Sequence, residues 1–290
     1  MDSAASERAP IRPSRTGVTD FTFTDKDFRY IADLIGDHAG IVLEDIKKDL
    51  VYGRLVKRLR SLGLQKFSDY CAILERGDEA EFELFVNSLT TNLTGFYRES
   101  HHFDMLRESV LPALMKQKAD RTLSVWSAGC STGAEPYTIA MTLAEELPSN
   151  WQARVLGTDI DTGVLETARA GVYDLDWVVR GTGEARMKRW MLRGTGARAA
   201  QVRVKPEIRN MVSFGTLNLL ESWPMRKPFD IIFCRNVVIY FDKPTQSVLF
   251  DRMASQMHPD GYLFIGHSES LNKICDRFKL IGKTVYQKSS

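Results

Sequence analysis

The chain has 290 residues, 43% apolar and 26% charged, enough for a sizeable core and unlike a wholly disordered chain or a coiled coil. A formal net charge of +2 excludes binding to nucleic acid by bulk charge alone. The apolar runs, such as Ile231–Cys234, are too short to span a bilayer, and no apolar stretch near the N-terminus suggests a signal peptide. Cys71, Cys130, Cys234 and Cys275 lie far apart with no CxxC pair, which suits reduced thiols in a cytoplasmic protein better than a disulfide frame or a zinc site.

Residues 1–19 are rich in Ser, Arg, Pro and Gly and read as a disordered leader. From residue 20 the spacing turns helical. Thr24 and Asp25 offer an N-cap ahead of Phe28, Ile31, Leu34 and Ile35. A second helix is predicted over 45–62, stopped by Gly63, with Val51, Leu55, Leu59 and Leu62 as its apolar stripe. Lys47, Arg54 and Arg58 share another side of it, flanked by Lys57 and Arg60. Short helices over 67–75 and 79–90 complete a small all-helical domain, residues 20–90. Residues 91–99 read as a linker.

From residue 100 a helix leads into an α/β pattern. Strands are predicted at 123–126, 155–158, 212–214, 230–234 and 262–265, with helices between them and a closing hairpin over 278–286. Strand and helix in alternation mean a mostly parallel, Rossmann-like sheet. The stretch 177–208 breaks the pattern. Its glycines and the alternating run Gln201–Lys205 suggest a small antiparallel β insertion.

Between the first strand and its helix lies Ser127–Gly133, whose glycines allow close backbone approach to a ligand. Glu135 then stands in the first helical turn, where an anionic ligand would be repelled and a cationic one favoured. S-adenosylmethionine, with its amino group and sulfonium, is such a ligand. Asp159 ends the second strand, where a carboxylate can accept bonds from ribose hydroxyls. Gly129 and Gly133 alone would serve any tight loop; it is Glu135 and Asp159 that point to a site.

The stretches Thr91–Arg98, Ser127–Tyr137, Gly157–Asp161, Asn218–Leu220, Ile232–Asp242 and Gly266–Leu271, in that order, closely resemble the chemotaxis receptor methyltransferases, the CheR family. Ala134 and Tyr97 are mild departures. The resemblance covers the chain beyond the leader. It implies a class I methyltransferase domain over 100–290, preceded by a helical receptor-contact domain, and transfer of a methyl group from S-adenosylmethionine to glutamates of chemoreceptors, leaving S-adenosylhomocysteine.

The resemblance also implies roles. Arg98 and Tyr240 would be catalytic, Arg98 aiming the carboxylate. Asn92, Thr94, Arg98, Gly129, Glu135, Asp159, Asn218, Leu219, Arg235 and Asn236 would bind the cofactor. Arg54, Lys57 and Arg58 would meet the receptor, and Arg193 and Arg203 would hold an acidic C-terminal tail peptide on the β insertion. The bland alternatives are a surface arginine at Arg98, a packed aromatic at Tyr240, a solvated basic helix and a hairpin that serves stability alone. A glutamate carboxylate is already anionic near neutral pH, so the chemistry needs neither a general base nor a metal. A monomer is expected, with no nucleic-acid partner and no membrane insertion. A non-catalytic cofactor-binding scaffold and a small-molecule methyltransferase remain the alternatives.

Overall fold

The structure, a computed structural model, describes residues 21–289; the expected leader lies outside them. Four helices come first: α1 (Asp25–Ala39), α2 (Lys48–Ser61, entered by a 3-10 turn at Asp45–Lys47), α3 (Phe67–Glu75) and α4 (Glu79–Leu89). Thr24 and Asp27 cap α1 reciprocally, each side chain accepting from the other's backbone N–H. Leu62 lies outside the core of this domain at 39% exposure, because α2 ends before it. Ile31, Ile35, Leu55, Leu59, Phe67 and Phe85 form that core and are wholly buried.

The second part begins with a kinked helical segment, α5 (His101–Met105) and α6 (Leu111–Gln117), joined by a π turn at Leu106–Val110. Then β1 (Thr122–Ala128), α7 (Ala134–Glu146), β2 (Gln152–Asp159) and α8 (Thr162–Ala170) form a βαβα run. An insertion follows, with β3 (Val172–Asp174), α9 (Leu175–Trp190), β4 (Met191–Arg193) and β5 (Gln201–Val204), and after it come α10 (Pro206–Arg209), β6 (Val212–Thr216), β7 (Phe229–Cys234), α11 (Lys243–Ser255), β8 (Met257–Ile265), β9 (Phe278–Gly282) and β10 (Val285–Lys288). The seven-stranded sheet has the order β6-β2-β1-β7-β8-β10-β9. β1 pairs in parallel with both β2 and β7, so strand order reverses at β1, and β10 pairs antiparallel with β8. A ligand crevice opens outside the carboxyl ends of the strands at such a reversal. The two faces of the sheet carry separate apolar clusters, one around Val125, Ile231 and Phe264, the other around Trp126, Ile232 and Leu263.

The insertion is a three-stranded antiparallel sheet of β3 (Val172–Asp174), β4 (Met191–Arg193) and β5 (Gln201–Val204), with β5 in the middle. The expected antiparallel insertion is present, but not within 177–208: β3 precedes that range, and Leu175–Trp190 is a helix, α9. Gly194 and Gly196 do stand in the turn between β4 and β5, but two other glycines that suggested turns have other reasons. A Cβ on Gly181 would sit 2.6 Å from the Phe96 carbonyl oxygen, and Gly183 makes a kink at φ 75°.

Arg58, expected to face a receptor, is bound inside the helical domain. Its Nε donates to Glu81 Oε1 at 3.0 Å and its Nη2 to Glu81 Oε2 at 2.5 Å, while the Tyr70 hydroxyl donates to Glu81 Oε1 at 2.8 Å. Glu81 is 5% exposed, so this is a partly buried ion pair that joins α2 to α4. Arg58→Ala should strand the Glu81 charge and lower the stability of the helical domain by about 3 kcal/mol. Denaturant unfolding followed on that domain checks this; a loss below the scatter of exposed ion pairs would mean that Glu81 finds water instead.

Candidate active site

The cleft at the strand reversal is lined from three sides. Its floor is the loop after β1 with Gly129, Ser131 and Glu135, and Asp159 at the end of β2. Leu217–Leu219 and Arg235–Val237 close the far side, with Tyr240 and Phe241. The roof comes from the helical domain and the former linker: Ala39, Leu43, Lys47, Leu50, Arg54 and Leu89–Gly95, with Arg98 beside them. Its empty space, open mouth included, is about 1210 Å³.

Glycine is required at Gly129. Its φ is +73°, and a Cβ there would lie 2.3 Å from a Val237 methyl. That contact interlocks the loops after β1 and β7. Ser131 donates its backbone N–H to Asp159 Oδ2 at 2.7 Å, and Asp161 to Oδ1 at 3.0 Å, so Asp159 shapes the loop as well as facing the cleft. Burial raises its carboxyl above the usual range, against those bonds.

Glu135 accepts from the Ser127 hydroxyl at 2.7 Å and from Arg235 Nη1 at 3.0 Å. Burial raises this carboxyl too, while the Arg235 charge opposes it. Arg235 reaches Glu99 on its other side at 3.3 Å and is itself almost fully buried. One guanidinium thus faces two carboxylates and cannot neutralise both. Asp159 adds an acid with no salt-bridge partner among the described residues. Arg235 Nε is buried without a hydrogen-bond partner.

Glu99 is the residue that sequence reasoning missed. It sits at φ +54°, an uncommon backbone for a side chain of this kind. Its carboxylate accepts from His267 Nδ1 at 2.9 Å, the His267 backbone at 3.2 Å and Asn236 Nδ2 at 3.3 Å. Burial works to raise it, but the His267 bond, the Arg235 charge and the Asn236 amide together hold it down to about 2. Glu269, another residue given no role from sequence, accepts from the backbone of Asn236 and Val237, both at 3.1 Å, and from Gly266. It thereby holds Asn236, itself at φ +59°, against the cleft. Both acids lie in the motif stretches or beside them; nothing local distinguishes them from surface glutamates.

All ten expected cofactor residues line this one cleft, and Tyr240 with them. Several side chains are already engaged. Asn92 Nδ2 donates to Asp161 at 2.7 Å, and Asn218 Nδ2 to the His38 carbonyl at 2.7 Å. Arg98 is half-buried, with Nη1 on the Leu93 carbonyl at 2.7 Å. Arg54 donates to the Leu89 carbonyl and the Thr91 hydroxyl at 2.5 and 2.8 Å, so it braces the roof. Lys57 is exposed. Arg203 stands opposite Leu192, and Arg193 opposite Val202, so the two arginines start on opposite faces of the small sheet and cannot be expected to grip one acid together.

Glu99, His101 and His102 bring donor atoms within 4.8 Å of one another, a grouping not foreseen from spacing. The Arg235 charge against Glu99 disfavours a second cation there. His102 Nε2 lies 2.9 Å from the Lys283 carbonyl, which can only accept, so Nε2 carries the proton, while buried Nδ1 makes no hydrogen bond and lies 3.4 Å from Glu99 Oε2.

A twisted, mostly parallel sheet with a glycine loop and acids at its carboxyl edge is that of a class I methyltransferase. Residues 92–287 match the "CheR methyltransferase, SAM binding domain", and residues 26–90 the "CheR methyltransferase, all-alpha domain". The chain is similar to the chemotaxis protein methyltransferases of Salmonella typhimurium and Escherichia coli, 47% identical to each over 268 residues. Those alignments span 91% of this chain, with 90% of the first relative and 91% of the second. It is 44% identical over 272 residues to chemotaxis protein methyltransferase 2 of Pseudomonas aeruginosa, covering 93% of this chain and 95% of that one. The chain belongs to the CheR methyltransferase family, with an S-adenosylmethionine-binding domain. Among the described residues no helix is long and apolar enough to cross a membrane.

The buried cluster makes the fold acid-sensitive in two stages. Burial, with the Arg235 charge, holds His102 down to about 4, so between pH 6.5 and 4 the unfolded chain binds a proton that the folded one does not, and stability falls as pH falls. The shift corresponds to about 3 kcal/mol. Glu99 contributes stability above its ordinary pKa of 4.5, lost as pH falls towards 2. His102→Gln, which has no proton to gain, should flatten the first stage in thermal melts across pH; an unchanged slope would assign it to another group.

Proposed function

We propose that this protein transfers a methyl group from S-adenosylmethionine to glutamate side chains on the cytoplasmic helical domain of chemoreceptors, forming methyl esters that adjust receptor output. The observation that carries this reading is the order of charge within the cleft. Acids, Glu135 and Asp159, lie at the sheet edge, and bases, Lys47, Arg54 and Arg98, lie on the roof side. A cationic cofactor suits the first and an anionic substrate the second.

S-adenosylmethionine supplies a methyl group activated on a sulfonium, leaving S-adenosylhomocysteine. Glu135 takes the cofactor's ammonium, the charge that Arg235 leaves unmatched. Asp159 keeps lone pairs for the ribose hydroxyls. Asn92, Thr94, Gly129, Asn218, Leu219, Arg235 and Asn236 wall the same cleft, with Asn92 and Asn218 fixing its shape through the bonds described above. Arg98 and Tyr240 orient the incoming carboxylate. That carboxylate is ionised near neutral pH, so no residue need act as base. What the chain supplies is alignment of oxygen, carbon and sulfur and exclusion of water under the helical roof. Arg54, held by the roof, acts through its field, while exposed Lys57 is free to meet receptor acids directly.

The small sheet supports a second contact with the receptor. β4 is an edge strand whose exposed Leu192 lies beside Arg203, a basic and apolar surface for an acidic-aromatic tail peptide added as a further strand. Arg203→Glu should abolish binding of such a peptide without changing cofactor affinity. Peptides from the C-termini of the organism's receptors, titrated one by one, test this; if none binds, the sheet is no tether.

Asp159→Ala should weaken S-adenosylhomocysteine binding by about 2–3 kcal/mol in calorimetry. Arg98→Ala should lower turnover at saturating cofactor well beyond its effect on cofactor affinity. Radiolabelled methyl transferred onto receptor-bearing membranes should come off in mild base, as an ester does. Cofactor binding with no base-labile label would instead favour the scaffold alternative, and label on small molecules only, the small-molecule enzyme.

A further inference from the structure

Arg98 stands between two residues in an unfavourable backbone conformation. Tyr97 is at φ +52° and Glu99 at φ +54°, a left-handed region that side chains of these kinds avoid. Such a conformation persists only where the surroundings hold it. The bonds to His267 and Asn236 and the Arg235 charge hold Glu99. Tyr97 is held differently. Its backbone N–H donates to Thr138 Oγ1 of α7 at 3.3 Å, but its buried hydroxyl lacks a hydrogen-bond partner, and the ring depends on packing.

Much of that packing comes from α9, in the insertion. Its two halves meet at the Gly183 kink, and each takes one of the residues ahead of Arg98. The first half takes Phe96. The Trp177 ring stands edge-on to the Phe96 ring with centroids 5.3 Å apart, and Tyr173, from β3, does the same at 5.2 Å. Gly181 comes so close to the Phe96 carbonyl that no Cβ fits between them. The second half takes Tyr97. The Arg186 guanidinium lies 4.6 Å from the centre of the Tyr97 ring. Arg186 Nε is fixed in turn by both oxygens of Glu145, at 3.2 and 3.1 Å, and Glu145 also accepts from Trp190 Nε1 at 2.8 Å.

Resting on the protein-glutamate reading above, in which Arg98 aims the substrate carboxylate, we propose that α9 is a clamp for that arginine, with Arg186 as a positioning residue. Arg186 acts through Tyr97. A cation over a ring face attracts it most where water is excluded, and Tyr97 is buried. Holding the ring holds the left-handed turn, and the turn sets the direction in which Arg98 leaves the chain. A return of Tyr97 to ordinary φ would swing Arg98 out of its place. The insertion is then part of the catalytic apparatus, whether or not β4 also holds a receptor tail.

The full-length protein tests this in two ways. Amide hydrogen exchange, read by mass spectrometry without substrate, reports on residues 95–100 directly. Arg186→Leu and Gly181→Ala should each speed exchange there and leave β1 unchanged, while Arg186→Lys, which keeps a cation over the ring, should stay near wild type. Turnover is then measured at saturating S-adenosylmethionine on the soluble cytoplasmic helical fragment of a chemoreceptor from the same organism, with S-adenosylhomocysteine affinity alongside. Arg186→Leu should lower turnover about tenfold and affinity for S-adenosylhomocysteine far less. Arg186→Lys should recover most of the rate. Exchange over 95–100 equal to wild type in both Arg186→Leu and Gly181→Ala, or faster exchange with turnover unchanged, overturns the clamp. So does a loss of S-adenosylhomocysteine affinity as large as the loss of turnover, which would report general damage to the cleft. Wild type that forms no ester on the fragment removes the glutamate reading instead, and the exchange of the variants still decides the clamp.

Discussion

One buried cation organises this protein. Arg235, at the end of β7, lies between Glu99 from the former linker and Glu135 from the first turn of α7. Three charges taken from water together are costly unless each is paired and hydrogen-bonded. Here Ser127 completes Glu135, and His267 and Asn236 complete Glu99. The arrangement draws the loops after β1, β7 and β8 to one point, at the cleft.

The helical domain is part of the same construction. Asn87 and Thr162 exchange bonds of 2.8 and 3.2 Å, Thr90 donates to Asp161 at 2.6 Å, and Val42 donates to the Tyr240 carbonyl at 3.0 Å. The stretch read as a linker is a wall of the cleft. The roof bases Lys47 and Arg54 come from the helical domain, while the acids Glu135 and Asp159, with Arg235 among them, come from the sheet domain.

Much of this was legible in the chain itself. Continuous apolar runs at the strands and the capping residues of α1 carry their structure locally. Glu135 and Asp159 could be placed because their meaning depends on position relative to one loop and one strand. Partners distant in sequence could not be read. Arg58 looked like a free surface charge because Glu81, which holds it, lies 23 residues away. Arg54 is held by groups 35 and 37 residues away. Glu99 lacks any local mark, since its role comes from His267, 168 residues on. Periodicity misled at Gly181 and Gly183, where glycines that suggested turns answer to crowding by Phe96 and to a kink in α9.

The bond from Asn218 to the His38 carbonyl has a wider consequence. It ties a cleft loop of the sheet domain to the end of α1, so a ligand that touches both walls stabilises their contact as well as its own site. Binding free energies of this kind are reciprocal: what the contact between the walls adds to the affinity for such a ligand, the ligand adds to that contact. The helical domain is therefore a thermodynamic partner of any ligand that touches both walls.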